Sequence, residues 1–334
     1  MLLTYILKRV MQIIPLLIAI TIIIFIVIQL PPGDYLTTYI RQRELSGYKV
    51  QQDEILLLKK QYGLDKPPVL QYVSWITNII TRGDFGRSFQ WNQPVASVIG
   101  SRLGTTMLVS FLCLIFVWIV SIPIGIYSAT HQYSAGDYFF TFLGFIGLSV
   151  PGFLLAIVVI YYAYATTGII ISGLFSQEYA NAAWSFAKFL DMLPRIGALV
   201  IIVGLQNTTF MIRTTRAMML DELGKQYVVT ARAKGLTERK LLYKYPVRMA
   251  INPLISLIGW SLAGLISGET IVSIVFNMPT TGPLLYRALL VQDMYLAGSF
   301  LLIVSVITVI GTLLSDILLA IFDPRIRFGG TVES

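Results

Sequence analysis

The stretch YVVTARAKG, Tyr227 to Gly235, decides how this chain is read. It lies in a basic segment, Arg213 to Arg248, that holds nine Lys and Arg and divides two apolar runs. Ala231, Arg232, Ala233 and Lys234 favour helix, and Gly235 stands where a left-handed helix end is wanted. Thr237 is placed to cap a second helix running to about Tyr245, with Pro246 breaking it. Thr230, Ala231 and Ala233 are small enough to admit a partner surface closely, while Arg232 and Lys234 add charge for pairing or steering. The face is too small and too weakly apolar for firm binding to lipid.

Outward from that segment the chain is apolar. Hydrophobic residues make up 56% and charged residues 13%, and the mean hydropathy is +0.74. These values belong to a polytopic membrane protein rather than a soluble domain. About 20 apolar residues in a helix cross a hydrocarbon core of about 30 Å. Val10–Leu30, Thr105–Tyr127, Tyr138–Ala165, Ile251–Phe276 and Gly298–Phe322 meet that length. A shorter run, Ile196–Ile212, carries Gln206, Asn207, Thr208 and Thr209. It is counted as a span because otherwise the basic segment would lie outside.

Orientation follows from Lys and Arg in short connections. With the N-terminus inside, the inner segments hold Lys8, Arg9, the nine basic residues of 213–248, Arg325 and Arg327. The short outer connections hold Lys188, Arg195 and Arg287. The expectation is six transmembrane helices with both termini cytoplasmic. The organisation is a first span within 1–30, an external subdomain at 31–104, a five-helix core at 105–322 with a cytoplasmic loop at 213–250, and a cytoplasmic tail at 323–334. The first run is too long for a cleaved signal, and no small-x-small site precedes Pro31. The net charge of +8 reflects the inward-facing loop and anionic lipid, not nucleic acid.

The residues present exclude several chemistries. Cys113 is the one cysteine and His131 the one histidine, so no intrachain disulfide, metal-ligand cluster or Ser/His/Asp set can be assembled. Cys113 reads as a small core residue and His131 as a surface residue. No Walker A loop is present, because Met219 stands where its first glycine would be needed. The chain is therefore not expected to be an enzyme or to hold a cofactor or metal, and any ATPase must be another chain. Charges inside a span are costly, and there are two, Glu269 and Asp316. Glu269 either lines a polar cavity or bonds a neighbouring helix, whereas Asp316, near the inner end of the sixth span, reads as a structural contact or as reaching the interface. Gln206 to Thr209 either line a solute path or stitch helices together. Tyr161, Tyr162 and Tyr164 read as an interfacial belt.

The basic segment resembles the coupling segment of ABC importer permeases, with Val229, Thr230 and Ala231 at the Glu-Ala-Ala positions before Gly235. TARAKG is similar to the form found in the dipeptide and oligopeptide permease family, specifically its first permease subunit. LPPGD (30–34), YGLDKP (62–67), GDFGRS (83–88), SVPGF (149–153) and DPRIR (323–327) extend the resemblance over nearly the whole chain. The resemblance implies a type I ABC importer permease in a prokaryotic plasma (inner) membrane. It also implies a second homologous permease, two ABC ATPase subunits and an external solute-binding protein. Tyr227, Thr230, Ala231, Arg232, Ala233, Lys234, Gly235 and Leu236 would meet an ATPase, whose closure would rock the permeases between inward-open and outward-open states.

Departures from the family pattern concern the solute. Peptide-type members carry a glutamate near the outer end of the fifth span, where this chain has Ser273. Its acid, Glu269, lies four residues earlier and so on the same helix face. Gln206, Asn207, Glu269 and Ser273 are the candidate pathway residues. The segments 244–253 and 173–179 also depart, in ways similar to a side branch of the family that contains oligosaccharide carriers. Peptide and oligosaccharide both stay open. An ion-coupled secondary carrier is the rival of another class; it calls for internal repeats or broken midplane helices.

Overall fold

The computed structural model describes residues 2–30, 35–45, 47, 51–61, 63–259, 261, 264, 266 and 269–322. Among them every regular element is helical, and the extended pairing is an isolated bridge between Arg87 and Pro94. Pro31–Asp34 of the LPPGD motif, Tyr62, Ser267, Gly268 and the DPRIR motif lie outside the described residues. The chain divides into two compact units. One comprises 1–10, 107–279 and 308–334; the other comprises 11–106 and 280–307.

Three described helices are long and apolar enough to cross a membrane: α1 (Leu2–Gln29), α5 (Val95–Thr130) and α14 (Met294–Phe322). The third apolar run, expected as one span, is instead two helices, α6 (Ala135–Ser149) and α7 (Gly152–Thr167), bent by 97°. Counted as one span, this pair makes a fourth. The break has a local cause. Pro151 drives the residue before it out of the helical region, and Val150 is extended at φ −91°, ψ 122°. Gly152 then allows a close approach, because a Cβ there would stand 2.8 Å from Gln206 Oε1.

In the unit built around 107–279, α8 (Phe186–Leu223) runs 38 residues, well beyond the apolar run that announced it. Its Ser185 cap accepts from the Lys188 amide at 3.2 Å. Lys188 and Arg195, expected in an outer connection, are helical and buried. In the fifth run α11 spans Pro246–Ser256, the described residues Ile258, Gly259, Ser261, Gly264 and Ile266 are helical, and α12 spans Thr270–Val275. One core gathers Val109 and Cys113 of α5, Ala156 of α7, Ile196, Leu199 and Val203 of α8, and Val272 and Phe276. Burying such side chains fully is worth about 1.5–3 kcal/mol each in water; in a bilayer, close packing and hydrogen bonding take over that role. Ser121 Oγ donates to the Thr208 carbonyl at 3.2 Å, and Thr209 Oγ1 donates to that of Gly144 at 2.9 Å. Asp316 pairs with Arg9 at 3.3 Å, in keeping with a structural contact.

The other unit contains α2 (Tyr35–Leu45), α3 (Gln52–Gln61), α4 (Pro68–Arg82) and α13 (Thr281–Leu290). Trp75 of α4 packs with Ile24 and Leu302. Gly83 ends α4 in the left-handed region at φ +63°, its amide donating to the Ile79 carbonyl at 3.0 Å while Asp84 N donates to that of Asn78 at 3.2 Å. This is the glycine-terminated helix end that satisfies the last carbonyls. The rest of GDFGRS is a turn held by its own side chains. Asp84 Oδ1 accepts from Gly86 N, Arg87 bonds the Asn92 carbonyl, and Ser88 Oγ donates to buried Asp293 at 2.5 Å.

Candidate coupling hairpin and polar core residues

The stretch from Tyr227 folds as expected into a short helix, α9 (Gln226–Ala233), followed by α10 (Glu238–Lys244). Gly235 between them has φ +78°. Thr237 occupies the position before α10, but its side chain makes no capping hydrogen bond. The two helices form a hairpin with a small core of its own: Val228, Ala231 and Leu241, with Leu236 and Tyr245 packed against it.

That core corrects one expectation. Ala231, grouped with the small residues open to a partner, is turned inward at 7% exposure, and Leu236 is half-buried beside it. The period of a helix dictates this: Val228 and Ala231 are three apart and share a face. Tyr227, Val229, Thr230, Arg232, Ala233 and Lys234 are exposed. Arg232 pairs with Glu238 at 2.6 Å and 3.1 Å through two nitrogens. The guanidinium holds the Glu238 carboxyl below its ordinary range, and the carboxylate in turn raises Arg232.

The hairpin is joined closely at both ends to the helices that flank it. Only Gly224 and Lys225 separate α8 from α9, and Tyr245 alone separates α10 from α11. Met219 of α8, Val247 and Ala250 of α11, and Ala129 of α5 form a core that Leu223 and Leu242 also touch. At the junction Glu222, 9% exposed, accepts from the Tyr227 hydroxyl and from Lys225 Nζ, the latter at 2.5 Å. Burial, then the neighbouring Glu222 carboxylate, pushes the Tyr227 phenol well above its usual range, so it stays a donor. Sequence reasoning missed Glu222: a pair five apart across a helix break leaves no periodic signal.

The four candidate pathway residues are not assembled alike. Asn207 lines a cavity of about 100 Å³ with Leu114, Val117, Phe210, Met211, Ser261 and Gly264. Its amide nitrogen also donates to the Val203 carbonyl at 3.0 Å. Gln206 lies against Gly152. Glu269 and Ser273 are buried, at 1% and 0% exposure, and the Ser273 amide donates to the Glu269 carbonyl at 2.7 Å. Cys113 is fully buried, and His131 is exposed and stacked on Tyr127. Among the described residues, no three His, Cys, Asp or Glu side chains converge as a metal site would need.

Residues 121–328 match the family described as binding-protein-dependent transport system inner membrane component. The chain belongs to this family. Residues 2–110 match the N-terminal region described for such membrane components. The chain is similar to the oligopeptide transport system permease protein AppB of Bacillus subtilis (strain 168), with 32% identity over 325 residues, covering 97% of this chain and 99% of that one. It is also similar to the dipeptide transport system permease protein DppB of Lactococcus lactis subsp. cremoris (strain MG1363), with 30% identity over 325 residues and the same coverage. As an inner membrane component, this permease crosses the membrane several times, and ATP hydrolysis lies in other subunits.

Proposed function

We propose that this inner membrane component is the first permease subunit of an ABC importer for oligopeptides, and that α9 is its coupling helix. The observation that carries the coupling role is the hairpin itself. Its apolar residues close on each other, and its polar and small residues face out from a seat on α8 and α11. Oligopeptides are favoured over oligosaccharides by the names of the relatives, which transport oligopeptides and dipeptides.

In this reading the chain makes six crossings with both ends in the cytoplasm, 31–104 lies outside, and the hairpin meets one of two ATPases. A second permease completes the pathway, and an external binding protein delivers the solute. No bond is made or broken here. ATPase closure biases two packings of the bundle, a coupling free energy between distant sites. Gln206, Asn207, Glu269 and Ser273 remain the pathway residues to test.

The experiment is uptake by the reconstituted importer. Gly235→Val forces a β-branched residue into the left-handed region, at roughly 1–2 kcal/mol, although a Cβ there meets nothing within 4 Å. ATP hydrolysis should persist while oligopeptide uptake falls, and Gly235→Asn, which tolerates that conformation, should retain more uptake. Unchanged coupling in Gly235→Val would sink the docking role. ATP-driven uptake of oligosaccharides but not peptides would overturn the substrate.

A further inference from the structure

A two-residue joint, Gly224 and Lys225, is all that connects the 38-residue α8 to the eight-residue α9. Such a joint leaves several soft backbone torsions, so by itself it would let α9 swing. The small core of Val228, Ala231 and Leu241 belongs to the hairpin alone, and the hairpin's apolar hold on the Met219 core comes through Leu242 of α10 rather than through α9. The side-chain contact from α8 to α9 across the joint is polar. Glu222 sits on the last turn of α8, largely buried, and takes the hydroxyl of Tyr227 from the first turn of α9 and the ammonium of Lys225 from the joint itself. The Tyr227 ring also lies 6.2 Å from that of Tyr245, on the far side of the hairpin.

We propose that Glu222 is a positioning residue: by accepting from Tyr227 and Lys225 it fixes the angle of α9 on the end of α8, so that a push on α9 moves α8 rather than bending the joint. A hydrogen bond to a buried carboxylate is among the stronger kinds, and a buried carboxylate stripped of its donors is costly. The latch therefore holds a single geometry. Its role in transport rests on the coupling reading above, but its geometric role does not.

The test uses the full-length permease in the intact transporter, reconstituted in 3:1 phosphatidylethanolamine and phosphatidylglycerol vesicles. Nitroxide labels go on Ala217→Cys of α8 and Gln226→Cys of α9, both exposed; Cys113 is buried. The parent should give one narrow distance distribution. Tyr227→Phe, which removes only the hydroxyl, and Glu222→Ala should broaden it. Glu222→Gln keeps an acceptor for Tyr227 and should restore most of it. In the same vesicles, uptake per ATP should fall about fivefold or more in Tyr227→Phe and Glu222→Ala, within the usual range of coupling between sites, with ATPase subunits still bound.

Narrow distances in both variants would overturn the latch even if the ATPases dock on the hairpin. Broadened distances with unchanged uptake per ATP would overturn its part in transport. A parent hairpin that binds no ATPase would overturn the coupling reading, while the distances alone would still decide the geometric role.

Discussion

Loop 168–185 and the α9–α10 hairpin both lie against α8, one near each end, and each is served by an Arg–acid pair: Arg195 and Asp191 of α8 hold the loop, and Arg232 and Glu238 lie within the hairpin. Their burial differs sharply. The Arg195 and Asp191 side chains are 7% and 17% exposed, whereas those of Arg232 and Glu238 are 53% and 59% exposed. Around Arg195 the chain uses the charge as a clamp. Nη1 donates to the Ser172 carbonyl at 2.6 Å and to that of Ile170 at 3.3 Å, and Asp191 accepts the Ser176 amide at 2.7 Å. Around Arg232 the same chemistry stays wet and open to exchange. A buried charge must keep every partner, while an exposed one gains little from its partner and is free to change it. The loop is thus built to stay folded, and the hairpin keeps a pair that is free to exchange its partner.

The largest expected effect breaks the clamp. Arg195→Met should leave Asp191 without its cation and two loop carbonyls without a donor, destabilising the unit by about 3–5 kcal/mol. Joint replacement of Arg195 and Asp191 by apolar residues should cost less than the single change, because no uncompensated charge is left behind. Thermal unfolding of the purified permease checks both, and a single change as mild as a surface substitution would remove the contrast between the two regions.

A smaller loss is expected at Lys188. Its ammonium donates to the Ala182 carbonyl at 2.6 Å and lies 4.5 Å from the centre of the Phe175 ring and 5.8 Å from that of Trp184. Lys188→Met keeps the stem and removes the charge, so about 1–3 kcal/mol should go with the hydrogen bond and the ring contact. Limited proteolysis between Ala182 and Ser185 reads the loop directly. Cleavage no faster than in the parent would mean that the Lys188 ammonium does not hold the loop.

The two regions were not equally legible in the sequence. The hairpin could be read because helix propensity, a glycine stop and a proline break are local signals, and they placed α9 and α10 within a residue or two of where they fold. The third apolar run could not: composition alone makes 138–165 one span, and only the extended residue before Pro151, with Gly152 against Gln206, turns it by 97°. Lys188 and Arg195 looked like loop charges because a charge beside an apolar run is ordinarily solvated; the carbonyls of Ala182, Ser172 and Ile170 that they meet lie 6 to 25 residues away in the loop, which no periodicity reveals. Among the pathway candidates, residue type marked Glu269 and Asn207. It could not say that one is buried and the other lines a cavity.

The smallest effect belongs to the exposed pair and carries a pH signature. The hydrogen bond from Arg232 holds Glu238 below its ordinary range. A carboxylate with a depressed folded pKa contributes stability that is present above its unfolded value, about 4.3, and is lost as pH falls through the folded one. Protection of the α9 and α10 amides, taken as exchange relative to an unfolded chain at the same pH, should therefore stay flat from neutral pH down to that value and fall slightly only in stronger acid. Glu238→Gln should abolish the acid step and leave the melting temperature nearly unchanged at neutral pH. A step near neutrality, or one that survives Glu238→Gln, would mean that another group governs the hairpin. If Glu238→Gln leaves the fold intact but changes how the ATPases associate, Arg232 is exchanging its partner on docking, as an exposed pair can and the clamped pair at Arg195 cannot.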